Sequence, residues 1–431
     1  MLNPLLQKKG RRAKMPRKST ARHESINPLE NEYIPPAYLP NLRKYKYSST
    51  DLSIVSRYVL QRYWNFVVNL VPMTVAPNCI TFTGFLIGMS STALLLYYYF
   101  FEGGVYPSWC LYYAAFALFA YQTLDAIDGK QARRTGTGSP LGELFDHGCD
   151  AFLTPFVLLN VSLATYMTPV ERFWLSTISS MSLFTVIWEQ FSTGTFDLGY
   201  VNGPAEGIIL NCVLFIVSGV YGESIWDTSA VGPYDVAYPP VLSRFFPGCN
   251  GTVHIESVRS VLFILFLVSC PFTILVNVVH AVLRPTVHAS KVMPMLALAP
   301  IVTMTALAVH VFVVFPNLTV RFPFAMEISY GLLMSITVTR LTLARLSAMP
   351  YRTVNWHIVF FFVALAAASA MHYAGDAAVS HDLVETLLGW TLTGLAVFAA
   401  MQYGHMILSA FTQIARYLSI SIMTIKPNKS D

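Results

Sequence analysis

The chain has 431 residues, 54% of them hydrophobic and 12% charged, with a mean hydropathy of +0.51. That balance excludes a soluble globular domain and predicts an all-α, polytopic integral membrane protein. The net charge of +5 comes from one end, where Lys8, Lys9, Arg11, Arg12, Lys14, Arg17, Lys18 and Arg22 precede the first acid, Glu24. The body then holds 20 basic against 23 acidic residues, which excludes a folded nucleic-acid-binding surface.

Residues 1–50 are polar and Pro-rich and are expected to form a disordered, basic cytosolic tail. The tail has no apolar core and no small-residue cleavage site, so it does not read as a secretory signal. Residues 51–75 follow as an interfacial amphipathic helix. Leu52, Val55, Val59, Tyr63, Phe66, Val67 and Leu70 recur at helical spacing, with Ser53, Ser56, Arg57, Gln61, Asn65 and Asn69 opposite. Trp64 is expected near the boundary of the apolar face, and Pro72 ends the helix. Such a helix lies along the cytosolic leaflet.

Apolar runs of spanning length then occur at about 79–101, 108–125, 143–168, 172–195, 207–222, 257–283, 293–315, 323–347, 354–374 and 385–411, which predicts about ten spans. With the basic tail in the cytosol, Lys130, Arg133, Arg134, Arg284, Lys291, Arg345, Arg352, Arg416, Lys426 and Lys429 fall on that side. Glu223, Asp227, Asp235, Asp376, Asp382 and Glu385 fall on the lumenal side, as do the sequons at Asn250 and Asn317. Both termini are therefore expected in the cytosol. Cys79, Cys110, Cys149, Cys212, Cys249 and Cys270 show no CxxC spacing and predict neither a disulfide framework nor a zinc site.

The chemistry concentrates between the second and third spans. Asp125 and Asp128 lie three apart at the cytosolic end of the second span. A breaker, Gly136-Thr-Gly138-Ser-Pro140, follows, and Glu143, Asp146, His147 and Asp150 then make one stripe on the third span. A short connection makes the two helices antiparallel neighbours, so their carboxylates converge just inside the interface. Two carboxylates about 4 Å apart repel by roughly 4 kcal/mol at an effective dielectric near 20. Divalent cations turn that repulsion into a binding site, and an all-oxygen set favours Mg²⁺ or Mn²⁺ over zinc. Two such ions can clamp a phosphate during in-line displacement. Gly129, Ala132 and Gly142 carry little or no side chain, which lets a diphosphate or a flat base approach, and Arg133 can pair with the acids or the diphosphate.

The spacing D-x2-D-G-x2-A-R-x8-G-x3-D-x3-D, from Asp125 to Asp150, resembles the signature of the class-I CDP-alcohol phosphatidyltransferase family with no departure. Further stretches resemble its eukaryotic choline/ethanolamine phosphotransferase branch. These are Tyr45-Lys-Tyr47-Ser, Ala76-Pro-Asn78-x-Ile-Thr81, Glu143-Leu-Phe-Asp146-His147-Gly-Cys-Asp150, Trp188-Glu189 with Thr193-Gly-Thr195, and Asn202-Gly-Pro204-Ala-Glu206-Gly. The resemblance covers about residues 40–210. It implies catalytic helices over 76–206, leaving 207–431 as further transmembrane helices for lipid access or dimerisation.

It also implies transfer of phosphoethanolamine or phosphocholine from CDP-ethanolamine or CDP-choline to diacylglycerol or an alkyl-acyl analogue, with CMP leaving. Two Mg²⁺ ions, replaceable by Mn²⁺, would be held by Asp125, Asp128, Asp146 and Asp150. Asn78, Gly129, Ala132, Arg133, Gly142 and Glu143 would surround the CDP-alcohol. The base is His147 or Asp150, with Glu143 one turn before the histidine; a neutral imidazole suits proton abstraction near pH 7 better than a metal-bound carboxylate. An endoplasmic-reticulum membrane location, with Golgi as the alternative, and a homodimer complete the expectation. Rival readings are a family member using another acceptor such as inositol and a polytopic transporter. The transporter reading is weakened by its ionisable groups, since Glu189, Glu327, His310 and His405 are scattered while the dense cluster sits at one interface.

Overall fold

The structure is a computed structural model that describes residues 32–237, 252–353, 355–374 and 380–425. The basic tail, the Asn250 sequon, Cys249, Asp376, Lys426 and Lys429 lie outside the described residues. A 3-10 helix at Pro36–Lys44 leads to strand β1, Ser49–Asp51, and a π-turn at Ser56–Leu60 leads to α1, Gln61–Leu70. Four long helices follow: α2 Pro77–Phe101, α3 Ser108–Thr135, α4 Pro140–Ala164 and α5 Pro169–Thr193. Strand β2, Phe196–Leu198, a π-turn at Gly203–Gly207, α6 Ile208–Tyr221 and the short α7 Ser224–Asp227 come next. Strands β3 Ser229–Ala237 and β4 Thr252–Ser257 pair antiparallel ahead of α8, Val258–Leu283. The chain ends with α9 Val292–Leu296, α10 Ala299–Val314, α11 Leu318–Arg321, α12 Ala325–Ser347, α13 Trp356–Ala374 and α14 His381–Leu418.

Local sequence chemistry sets these boundaries. Gly136 (φ +66°) adopts the left-handed backbone that ends α3, and Ser139 caps α4 by accepting the Gly142 N–H at 3.1 Å with Pro140 in the first turn. Thr168 and Glu171 form a capping box on α5. Helix α12 is buried along almost its whole length among α4, α5 and α14. Gly331 makes the α4 approach possible, because a Cβ there would meet the Pro155 Cβ at 2.4 Å.

Among the described residues, seven helical segments are long and apolar enough to cross a membrane, fewer than the ten spans the sequence suggested. Helices α3, α5 and α12 cover three of the expected ranges without meeting that measure. Their ionisable groups are turned inward on neighbouring helices: Asp128 on α3, Arg172 and Glu189 on α5 and Glu327 on α12 are all buried. At the end away from the carboxylates, Arg172 Nε donates to Glu327 at 3.0 Å with its guanidinium 4.7 Å from the Phe324 ring centre. A charge in that setting is tolerable only when paired.

Two expectations change in detail. The unstructured tail does not extend to residue 50: Ile34 and Leu42 are fully buried against a cluster that includes Leu144, Phe145 and Phe411, and Asn41 Nδ2 donates to the Ser347 carbonyl at 3.0 Å. The amphipathic segment is helical, but Trp64 is buried with Leu60 and Val68, four apart, against Ile80 and Ile127. Val59, Tyr63, Phe66 and Leu70 are the exposed apolar row, so the helix has one stripe for the protein and one for lipid.

Candidate active site

Helices α3 and α4 run antiparallel across a four-residue connection, and this places their carboxylates together. One oxygen each from Asp125, Asp128 and Asp146 lies within 4.8 Å of the others. The Thr81 hydroxyl on α2 donates to Asp128 Oδ2. Asp150 falls outside that three-residue group, because its Oδ1 accepts from the Tyr121 hydroxyl one helical turn before Asp125.

The donor set fits a hard divalent cation. Asp125 Oδ1 and Asp146 Oδ1 are buried without a hydrogen-bond partner among the described residues. Unpaired carboxylate oxygens in a low-dielectric site are costly unless a cation takes them. A thiol is not among the grouped ligands, since Cys149 does not join them.

Three residues before Asp146 on the acidic stripe the environment differs. Glu143 is buried; its Oε1 accepts from Arg345 on α12 and from Gln190 Nε2 on α5 at 3.0 Å, leaving Oε2 unpartnered. The Tyr45 phenol sits beside this carboxylate, and burial, reinforced by the Glu143 charge, pushes it well above the usual tyrosine value. His147 is buried one turn on, its Nδ1 unpartnered and its ring 5.3 Å from that of Phe196. Phe196 belongs to β2, which pairs in parallel with β1, so the segment before α1 and the segment after α5 together cover this part of α4.

The small residues leave room on the same side. A Cβ on Gly142 would stand 3.7 Å from Asn78 Oδ1, and one on Gly129 would stand 3.6 Å from an Arg133 guanidinium nitrogen. Ala132 is partly buried and Arg133 is exposed; among the described residues Arg133 makes no ion pair with the acids. The structure therefore brings Asn78, Gly129, Arg133 and Gly142 to the same end of α2, α3 and α4 as the carboxylates, with the buried Glu143 and His147 on either side of Asp146 along α4.

Sequence reasoning missed several members. Tyr121 and Gln190 carry no pattern that points to the site. Thr81 stood inside a recognised stretch without a role, and Arg345 was counted only as a loop-side positive charge. Arg345→Met is expected to leave Glu143 buried and uncompensated, a loss of about 3–5 kcal/mol for a broken buried pair. Thermal unfolding in detergent checks this; Arg345→Lys should recover part of the loss.

The scattered ionisable groups each have a partner. Glu189 Oε1 lies 3.2 Å from His280 Nδ1 and 3.7 Å from Arg284, whose guanidinium also reaches Asp197. His405 Nδ1 shares a hydrogen with the Tyr33 hydroxyl at 3.1 Å, and His310 Nε2 lies 3.1 Å from Ser369 Oγ. Pairing of this kind describes a packed interior better than an ion pathway.

Comparison with known proteins adds to this geometry. The family model described as CDP-alcohol phosphatidyltransferase matches residues 74–201. Choline/ethanolaminephosphotransferase 1 of Arabidopsis thaliana is 32% identical over 383 residues, covering 88% of this chain and 95% of the plant protein. Cholinephosphotransferase 1 of Saccharomyces cerevisiae is 37% identical over 202 residues, 46% of this chain and 50% of the yeast protein. A Dictyostelium discoideum class-I CDP-alcohol phosphatidyltransferase family protein is 28% identical over 417 residues, 92% of this chain and 99% of its own length.

Proposed function

The chain belongs to the CDP-alcohol phosphatidyltransferase family, and from that premise we propose that it makes phospholipid by transferring phosphoethanolamine or phosphocholine from a CDP-alcohol to diacylglycerol, or to an alkyl-acyl analogue, with release of CMP. The observation that carries the reading is the convergence of Asp125, Asp128 and Asp146 from two antiparallel helices, with oxygens left for a cation. The similarity along 88% of the chain to an enzyme named for both headgroups supports the donor class.

Asp125, Asp128 and Asp146, with Asp150 adjoining, would hold Mg²⁺ or Mn²⁺, and two ions suit four carboxylates. Bound divalent cations there neutralise the diphosphate and the departing nucleotide phosphate. Gly129, Ala132 and Gly142 keep the walls of α3 and α4 open to the donor, with Asn78 on the nucleotide side. The Arg133 guanidinium, exposed beside Gly129, is free to turn to the phosphates.

His147 takes the proton of the acceptor hydroxyl, a task suited by its Nδ1, which has no partner among the described residues. Glu143 is held by Arg345 and Gln190, so its task is to orient and balance the histidine's surroundings rather than to accept the proton. The sn-3 hydroxyl attacks the β-phosphorus in line, and no covalent enzyme intermediate forms. The polar donor arrives from the cytosol and the acceptor from the bilayer; a site at the end of the helices serves both.

This reading places the protein in the endoplasmic-reticulum membrane, with Golgi as the alternative, both termini cytosolic and the chain a homodimer. The test is purified protein in diacylglycerol-containing vesicles with Mg²⁺, offered CDP-ethanolamine and CDP-choline in turn. CMP release that needs diacylglycerol supports the assignment; release driven by inositol instead, or none with either donor, would overturn it.

A further inference from the structure

The described chain continues past the end of α14. Ser419 turns it with left-handed backbone (φ +57°), and the Ile420 N–H caps the helix on the Ala415 carbonyl at 3.1 Å. Residues 421–425 then run to the first turn of α2. There the Ile422 carbonyl accepts from Asn78 Nδ2 at 2.7 Å, and Cys79 Sγ lies 3.1 Å from the Met423 carbonyl. Ile420 and Ile422 pack on the cluster of Phe145 and Phe411.

A carbonyl oxygen can only accept, so this contact fixes which way the Asn78 amide is turned. Its NH₂ faces the C-terminal segment, and its Oδ1 stands on the side of Gly142, 3.7 Å from where a Cβ would be. The Asn78 side chain is largely enclosed, and among the described residues its Oδ1 accepts no hydrogen bond, which leaves that oxygen open on the Gly142 side. An amide oxygen left open in this way can accept from a ligand donor.

We propose that residues 421–425 form the outer wall of the nucleotide site, with the Ile422 carbonyl positioning Asn78 so that Oδ1 accepts an N–H or O–H of the donor's cytidine portion. The inference rests on the CDP-alcohol reading above. A positioning wall should act on donor affinity and leave the chemical step alone.

The test compares three chains with the full protein. A chain ended after Ile420 keeps the α14 cap and loses the wall; a chain ended after Ile425 keeps both. The third is Asn78→Asp, which retains an acceptor oxygen but has no N–H for Ile422. The Ile420 truncation and Asn78→Asp should raise KM for CDP-ethanolamine about 5- to 10-fold, the size of one lost net hydrogen bond, with kcat changed by less than about 2-fold. The Ile425 truncation should match the full chain. An unchanged KM after the Ile420 truncation overturns the proposal, and so does a lowered one, which would mean that the segment obstructs the site. CMP binding by titration calorimetry reads the wall without turnover. If the full chain binds CMP with this same dependence on 421–425 but releases none from a donor, the catalytic reading fails and the wall stands; equal CMP affinity in all chains overturns the wall.

Discussion

Asp146→Asn should abolish CMP release from either donor, by about a thousand-fold or more, the scale on which losing one preorganised electrostatic group depresses turnover. The substitution keeps the size and shape of the side chain and removes only its charge. Asp146 contributes one of the three oxygens that lie within 4.8 Å of one another, and its Oδ1 has no other partner to serve. The folded state should not suffer. Carboxylates about 4 Å apart repel by roughly 4 kcal/mol at an effective dielectric near 20, so without divalent cations the variant should unfold at the same temperature as the parent or higher. Adding Mg²⁺ should stabilise the parent and leave the variant nearly unmoved, because a ligand stabilises only the state that binds it. A variant that turns over normally, or that unfolds early, would contradict the assignment.

His147→Ala should lower kcat by about a hundred- to ten-thousand-fold, the range for loss of a general base. KM for the CDP-alcohol should move little, since His147 sits between Glu143 and Phe196 rather than beside Gly129 or Asn78. Asp150→Asn separates the competing assignment. Its carboxylate accepts from Tyr121 and adjoins the other acids, so its loss should weaken the metal dependence of the reaction as well as its rate. Steady-state kinetics at several Mg²⁺ concentrations tell the two apart. A His147→Ala protein working at near-parental kcat would remove the histidine from the mechanism.

The convergence of the carboxylates could be read from the chain because their spacing is periodic. Asp125 and Asp128 on one helix, and Glu143, Asp146, His147 and Asp150 on the next, are separated by the breaker around Gly136 and by nothing else. That spacing alone brings carboxylates face to face. The partners that modulate them come from distant segments, and no local pattern foretells them: Arg345 lies 202 residues from Glu143, and Ile422 lies 344 from Asn78. Hydropathy had a similar reach. It located the long helices but set Trp64 near a boundary, because an apolar stripe on a surface helix reads the same whether lipid or protein covers it. Leu60, Trp64 and Val68, four apart, form the row that the protein covers. The tail was carried too far for the opposite reason: Pro36 and Pro40 look like a loop, yet Ile34 and Leu42 find a hydrophobic cleft between helices far along the chain.

The pairing of these acids with divalent cations is the claim on which the rest depends, and chelation reads it most directly. Purified protein in diacylglycerol vesicles, stripped with excess EDTA and supplied with CDP-ethanolamine, should release no CMP, and readdition of Mg²⁺ or Mn²⁺ should restore the full rate. Undiminished release in the stripped protein would contradict it.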